Sequence, residues 1–230
     1  MPSSTTVVAC TPRTGSSLLC RGLRAYGLGN FNEWFRGEGV RSQELQLARA
    51  RLGTDSEGVF GCKVHWHQMT RLLRWAVAIE DVFPSAGWIH LYRRDTAAQA
   101  MSLLRAEATG YWFAQSPESP PDVDLSELAY VDRVLQFHDH CWTAWFASRG
   151  IDPYRIAYED LAVNPQATTG GVAHILGHRR LEEMPDLPIR QPHDDARDAE
   201  FLESYRLTQP EPQAPKGWTL SGPSFWRTAA

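Results

Sequence analysis

The sequence predicts an α/β fold, a parallel β-sheet flanked by helices on both sides. Three observations carry the prediction. Short apolar, β-branched runs alternate with longer segments of helical period. The runs are apolar at consecutive positions, as strands buried on both faces are. The polar clusters follow the runs, at the strand ends where sheets of this kind hold ligands.

Thr6 to Cys10 (TVVAC) is the first strand, and TPRTGSS links it to a helix over Ser17 to Tyr26 (SLLCRGLRAY). A polar helical stretch near Ser42 to Leu52 precedes the second apolar run, Val59 to Trp66 (VFGCKVHW). Met69, Leu72, Leu73, Ala76 and Ile79 then share one helical face. The third strand, Trp88 to Tyr92 (WIHLY), runs into Arg93-Arg94-Asp95 and a helix through about Ala108. After the proline-rich loop Ser116 to Asp124, a long helix from Leu125 to Ser148 sets Leu128, Val131, Leu135, Trp142 and Trp145 on one stripe. Tyr154 to Ala157 (YRIA) is the fourth strand, and Val172 to Leu176 lie on a further helix. No repeat is present, so residues 1–230 read as a single domain ending in a Pro-rich, irregular tail over 208–230.

Composition narrows the function classes. Hydrophobic residues make up 43% and charged residues 22%, enough for a core without staples. A net charge of −4 argues against wholesale nucleic-acid binding, which draws on Lys and Arg at phosphates. Cys10, Cys20, Cys62 and Cys141 form no CxxC pair and read as reduced thiols of a cytoplasmic protein. The start MPSSTT lacks the pattern of a leader, and no stretch approaches 18 apolar residues, so no membrane partner is expected.

The loop after the first strand is the strongest local signal. Gly15 permits a tight turn, Thr14, Ser16 and Ser17 bring hydroxyls, and the helix start contributes free N–H groups and its dipole. Arg13 adds a planar, permanently charged fork suited to phosphate or sulfate oxygens. An ordinary strand-to-helix turn with a capping serine would look the same. The lysine of a GxxxxGK[ST] loop is absent, and the third strand ends in two arginines before its carboxylate. The pattern suits an anionic donor bound without a metal.

TPRTGSSLLCRGLRAYGLGNFNEWF resembles the opening segment of the trehalose 2-sulfotransferase-like family, which uses 3′-phosphoadenylyl sulfate (PAPS) as donor. GVFGCKVHWHQ, IHLYRRDTAAQAMSLLRA, CWTAWF and RQ…FLESYR follow in family order, so the resemblance spans roughly Val7 to Arg206. It implies a P-loop-like sulfotransferase fold and sulfuryl transfer to a hydroxyl of a small-molecule acceptor, releasing adenosine 3′,5′-bisphosphate (PAP). The acceptor class it leaves open is a sugar, a glycosylated metabolite or another alcohol. It is also compatible with a homodimer.

Position by position, Arg13, Thr14, Gly15, Ser16 and Ser17 match the family's 5′-phosphosulfate loop. Arg93 and Ser102 match its 3′-phosphate clamp, with Arg94 the ambiguous neighbour, and Arg190 falls where the family has an Arg-Gln near the donor. Glu33 corresponds to the carboxylate that resembles a general base, and Phe31, Trp34 and Phe35 beside it are expected to raise its pKa. His65 departs from the trehalose-type pattern and resembles instead the catalytic histidine of Lys-Thr-His in aryl and steroid sulfotransferases. The base is therefore Glu33 or His65, or one orients the other. Lys63 is placed to stabilise the leaving group, or serves as a structural strand-end lysine. His138-Asp139-His140 looks metal-like only in text, because residues two apart on a helix face apart. Trp66 and Trp112 sit near strand-end loops and could stack on a sugar or adenine. The rival readings are a nucleotide kinase or ATPase with a degenerate P-loop, and a non-catalytic nucleotide-binding module.

Overall fold

The structure, a computed structural model, describes residues 4–35, 53–54, 58–74, 76–110, 112, 121–177, 196–219 and 222–223. The expected helix near Ser42 to Leu52 and Arg190 lie outside them. Four strands, β1 (Ser4–Cys10), β2 (Val59–His65), β3 (Gly87–Tyr92) and β4 (Tyr154–Ala157), form one parallel sheet in the order β2-β1-β3-β4. β1 is interior, with β2 on one side and β3 on the other, so the strand order reverses across its end.

Consecutive strand residues feed opposite layers, because side chains alternate across a sheet. Val7 and Ala9 join Phe60, Cys62 and Val64 under α2 (Trp66–Arg74), α3 (Ile79–Val82) and α5 (Leu125–Arg149). Val8 and Cys10 join Ile89, Leu91 and Ile156 under α1 (Ser16–Ala25), α6 (Tyr158–Val163) and α7 (Pro165–Ile175). Leu19 and Leu23 of α1 are fully buried there, each stabilising by about 1.5–3 kcal/mol. A third apolar cluster joins α4 (Thr96–Thr109), α5 and α8 (Ala196–Thr208). Arg105–Asp198, bidentate at 2.6 and 2.7 Å, fastens α8 to α4.

Three expectations change. The apolar face over Met69 to Ile79 is split: α2 stops at Arg74, Ala76 takes φ 54°, and Ile79 opens the separate α3. No Gly or Pro marks this break. Trp66 is not an exposed platform; it is buried and meets the Trp142 ring edge-on at 5.1 Å. The tail is not wholly irregular, since β5 (Trp218–Thr219) pairs antiparallel with β6 (Gly222–Pro223). Among the described residues no helix is long and apolar enough to cross a membrane.

Candidate active site

The C-terminal ends of β1, β2, β3 and β4 gather the polar side chains into two adjoining clusters. The first is built on the loop after β1. Gly15 precedes α1 at φ 75°, and a Cβ there would lie 2.5 Å from Tyr158 Cδ2, so only glycine fits between the turn and that ring. Thr14 Oγ1 donates to the Thr11 carbonyl at 2.9 Å and closes the turn. Gln99, buried on α4, clamps the same loop, its Nε2 donating to Thr11 Oγ1 (2.8 Å) and to the Pro12 carbonyl (2.5 Å). The first amides of α1 have no intrahelical acceptor, so the turn presents N–H groups at a positive helix end.

Arg13 takes φ 63° in this turn. Its Nε donates to Ser102 Oγ at 3.0 Å and its Nη1 to the Trp112 carbonyl at 2.8 Å. Ser102 therefore reaches the site through Arg13, which is possible because α4 starts only at Thr96, capped by Asp95 onto the Ala98 amide (3.0 Å). Arg93 lies over the Tyr158 ring at 4.6 Å, with Nη1 3.5 Å from the Arg13 carbonyl and a buried Nε that has no partner among the described residues. Arg94 points elsewhere. It is exposed and bidentate to Asp160 at 2.6 and 2.8 Å, which separates the two neighbours the sequence left ambiguous.

Arg13 and Arg93 thus share one wall with no carboxylate hydrogen-bonded to either guanidinium among the described residues. The nearby acids are engaged otherwise: Glu159 accepts from the Arg94 and Asp95 amides, and Asp95 caps α4. Burial lowers the pKa of Arg13, and Arg93 beside it lowers it further; burial likewise lowers that of Arg93. An anion between them would relieve both penalties. The Arg93 Nε without an acceptor and the helix-start amides fit a phosphate- or sulfate-bearing donor.

The second cluster is centred on Glu33. Gly29, at φ 102°, approaches β2 so closely that a Cβ would run into the Gly61 backbone nitrogen. The chain can then lie along the edge of β2, with Asn32 bridged to Cys62 and its carbonyl accepting from the Lys63 amide at 3.0 Å. Trp34 Nε1 donates to the Gly61 carbonyl at 3.1 Å. Glu33 is thereby delivered to the β2 end. Its Oε1 is 2.9 Å from Lys63 Nζ and 3.5 Å from His65 Nε2, and its Oε2 accepts from Gln68 Nε2 at 2.8 Å. His65 Nδ1 lies 3.4 Å from Cys10 Sγ, and its ring stacks on His67 at 5.5 Å.

These contacts reverse the expected pKa of Glu33. Burial does push the carboxyl up, but His65 and Lys63 outweigh it and hold the group well below the usual carboxylate range. Burial disfavours the His65 imidazolium, while Cys10 and Glu33 outweigh that and raise it to about 9. Burial is likewise overcome at Lys63, which Glu33 raises. The resting cluster is an ionised carboxylate between two cations.

The remaining candidates disperse. Trp112 contributes its carbonyl to Arg13, not a bare aromatic face. His138 is buried on α5, Asp139 meets His90 at 2.9 Å, and His140 is exposed. Among the described residues no group of three or more His, Cys, Asp or Glu side chains could hold a metal ion. Sequence reasoning missed Gln68, Gln99 and Cys10 as neighbours of the site.

The sequence profile of the family described as Stf0 sulphotransferase matches residues 41–208, which include Lys63, His65, Arg93 and Ser102 but not the loop after β1 or Glu33. A trehalose 2-sulfotransferase of Mycobacterium tuberculosis is 27% identical over 255 residues, covering 89% of this chain and 95% of that protein. One of Mycolicibacterium smegmatis is 26% identical over 253 residues, covering 87% and 93%. A solved sulfotransferase from Alicyclobacillus acidocaldarius superposes with a TM-score of 0.54 at 13% identity, over 99% of this chain and 100% of that one, a likeness of fold. The chain belongs to the Stf0 sulphotransferase family.

Proposed function

We propose that this Stf0 sulphotransferase family member transfers the sulfuryl group of PAPS to a hydroxyl of a small acceptor and releases PAP. The observation that carries the reading is the wall shared by Arg13 and Arg93 beside a helix start, two cations with no carboxylate hydrogen-bonded to them among the described residues. PAPS supplies a sulfuryl group on a phosphate leaving group, and every other part of the chemistry falls to side chains. Arg13, Thr14, Gly15, Ser16 and Ser17 hold the phosphosulfate. Arg93 holds the 3′-phosphate, with Ser102 fixing Arg13. In the transfer the acceptor oxygen–sulfur bond forms as the bond from sulfur to the phosphate oxygen breaks. The electron pair leaves on PAP, and the acceptor proton passes to Glu33.

Glu33 suits the role because it is already ionised, and because the cations that depress its pKa are able to leave it. Lys63 is the mobile one: moved to the departing phosphate oxygen, it would neutralise the developing charge there and make Glu33 more basic. His65 then keeps the carboxylate oriented. Charge stabilisation and in-line positioning account for the rate, as in phosphoryl transfer.

The curated relatives act on trehalose by name, and a sugar or another small alcohol is the acceptor class this site suits. The four free cysteines support a reducing, cytoplasmic setting. Thermal unfolding with PAP, compared with ATP plus Mg²⁺, tests the donor. PAP at 100 times its Kd stabilises by about 2.7 kcal/mol, and the shift should be independent of Mg²⁺. Stabilisation by ATP plus Mg²⁺ alone would overturn the reading.

A further inference from the structure

Among the described residues three donors hold the Glu33 carboxylate, and one of them is neutral. Gln68 is fully buried on the first turn of α2, and its amide is used at both ends. Its Oε1 accepts from the His65 backbone N–H at 3.1 Å, and its Nε2 donates to Glu33 Oε2 at 2.8 Å. The orientation is fixed by chemistry, since an N–H can only meet the carbonyl end and a carboxylate only the amide nitrogen. The first bond is half of a capping box: His65 precedes the helix, and the third residue of the helix reaches back to its amide. A helix cap alone accounts for that bond. It does not account for the second, which crosses to a chain segment 35 residues earlier.

The two carboxylate oxygens are consequently unlike. Oε1 faces Lys63 and His65, both cationic, whereas Oε2 faces a neutral amide. We propose that Gln68 is a positioning residue that locks the Glu33 carboxylate to the start of α2, keeps Lys63 and His65 on Oε1, and leaves Oε2 as the oxygen that receives the acceptor's proton. The assignment of Oε2 rests on Glu33 being the base, while the locking role does not. Without the lock the carboxylate turns about its last torsion, and the pairing of Oε1 with His65 loosens.

The test reads His65 by NMR titration of its ring in the full chain. The charged and titratable groups near that ring are Glu33, Lys63 and Cys10, with His67 stacked on it and Arg71 and His138 beyond His67. In Gln68→Met, which keeps the volume and loses the amide, the His65 midpoint should fall by about one pH unit. Glu33→Gln should lower it at least as far, and adding Gln68→Met to Glu33→Gln should lower it no further. An unchanged midpoint in Gln68→Met, or a shift that persists on top of Glu33→Gln, overturns the lock. Loss of the cap, which Gln68→Met causes as well, is read separately as a lower melting temperature in both backgrounds.

Gln68→Glu provides a second route should Gln68→Met fold poorly, because glutamate still caps the helix. It sets two carboxylates against each other, and like charges that close share a proton. A carboxyl titrating above the ordinary range should appear in its ¹³C spectrum and vanish on adding Glu33→Gln; its absence overturns the lock. Neither titration requires turnover. Failure of Glu33 as the base would be seen separately, as a Glu33→Gln variant that still transfers sulfuryl groups.

Discussion

Two neighbouring strand ends of the same sheet solve opposite electrostatic problems. At the end of β1 and β3, Arg13 and Arg93 lie together, and among the described residues their hydrogen-bond and ring partners are neutral: a hydroxyl, carbonyls and a tyrosine ring. At the end of β2, the Glu33 carboxylate lies within 3.5 Å of both Lys63 and His65, so each cation has an opposite charge beside it. The first arrangement is costly until an anion arrives, because half-buried like charges repel and the more distant Asp95, Glu159 and Tyr158 offset their lost hydration only in part. The second holds its counter-charge already and offers a carboxylate to a neutral hydroxyl. Donor and acceptor halves of a transfer reaction need those two environments.

Replacing one member of each cluster sharpens the contrast. Arg13→Ala should lower turnover by about 10³-fold or more and remove the stabilisation by PAP, while leaving the ligand-free melting temperature nearly unchanged. Retained turnover would break the comparison outright. Glu33→Gln should lower kcat by about 10²–10⁴-fold with PAP affinity within a few fold of the parent. His65→Asn, which removes the orienting cation but not the carboxylate, should cost less. Equal mild losses in the two would mean that neither is the base.

In stability the order inverts. Lys63→Met leaves the half-buried Glu33 carboxylate with one cation fewer and should cost about 1.5–3 kcal/mol in the absence of ligand, whereas Arg93→Met removes a repulsion and should cost less. The pH effect belongs to the β2 end. His65 has a folded pKa raised to about 9 from 6.5. Its contribution is fully present below about pH 6.5 and is lost as pH rises through 9. Glu33 has the opposite sign, losing its contribution as pH falls below about 4.5. The melting temperature should therefore decline from pH 6.5 to 9 in the parent, and His65→Asn should flatten that slope. An equal slope in both would show that the histidine does not share the Glu33 charge.

What was legible in the sequence was local. TVVAC, VFGCKVH and WIHLY read as strands because every position but Lys63 and Tyr92 is buried, and Gly15 read as a turn because nothing else tolerates it there. The break at Ala76 was not legible, since a non-glycine residue in a left-handed conformation leaves no mark. The Glu33 pKa ran opposite to expectation for a similar reason: the aromatics that suggested burial are adjacent in sequence, but the cations that outweigh it lie some thirty residues on. Arg93 and Arg94 are identical in text, and Asp160, on α6 just beyond β4, pulls one of them away. A signal for Gln68 existed in its spacing, three residues after a strand-ending histidine, where a capping side chain belongs.

The clamp on the loop after β1 also has a history within each folding event. Gln99, Ser102 and Trp112 lie 88, 89 and 99 residues from the loop positions they hold. Contacts that distant form only after a large loss of chain freedom has been overcome, and they lengthen the mean sequence separation that slows folding. The loop leaves the ribosome before the residues that hold it. A nascent chain ending before β3 therefore carries the sequence of the anion cradle without its walls, and the donor meets a competent site only when the sheet has closed around it.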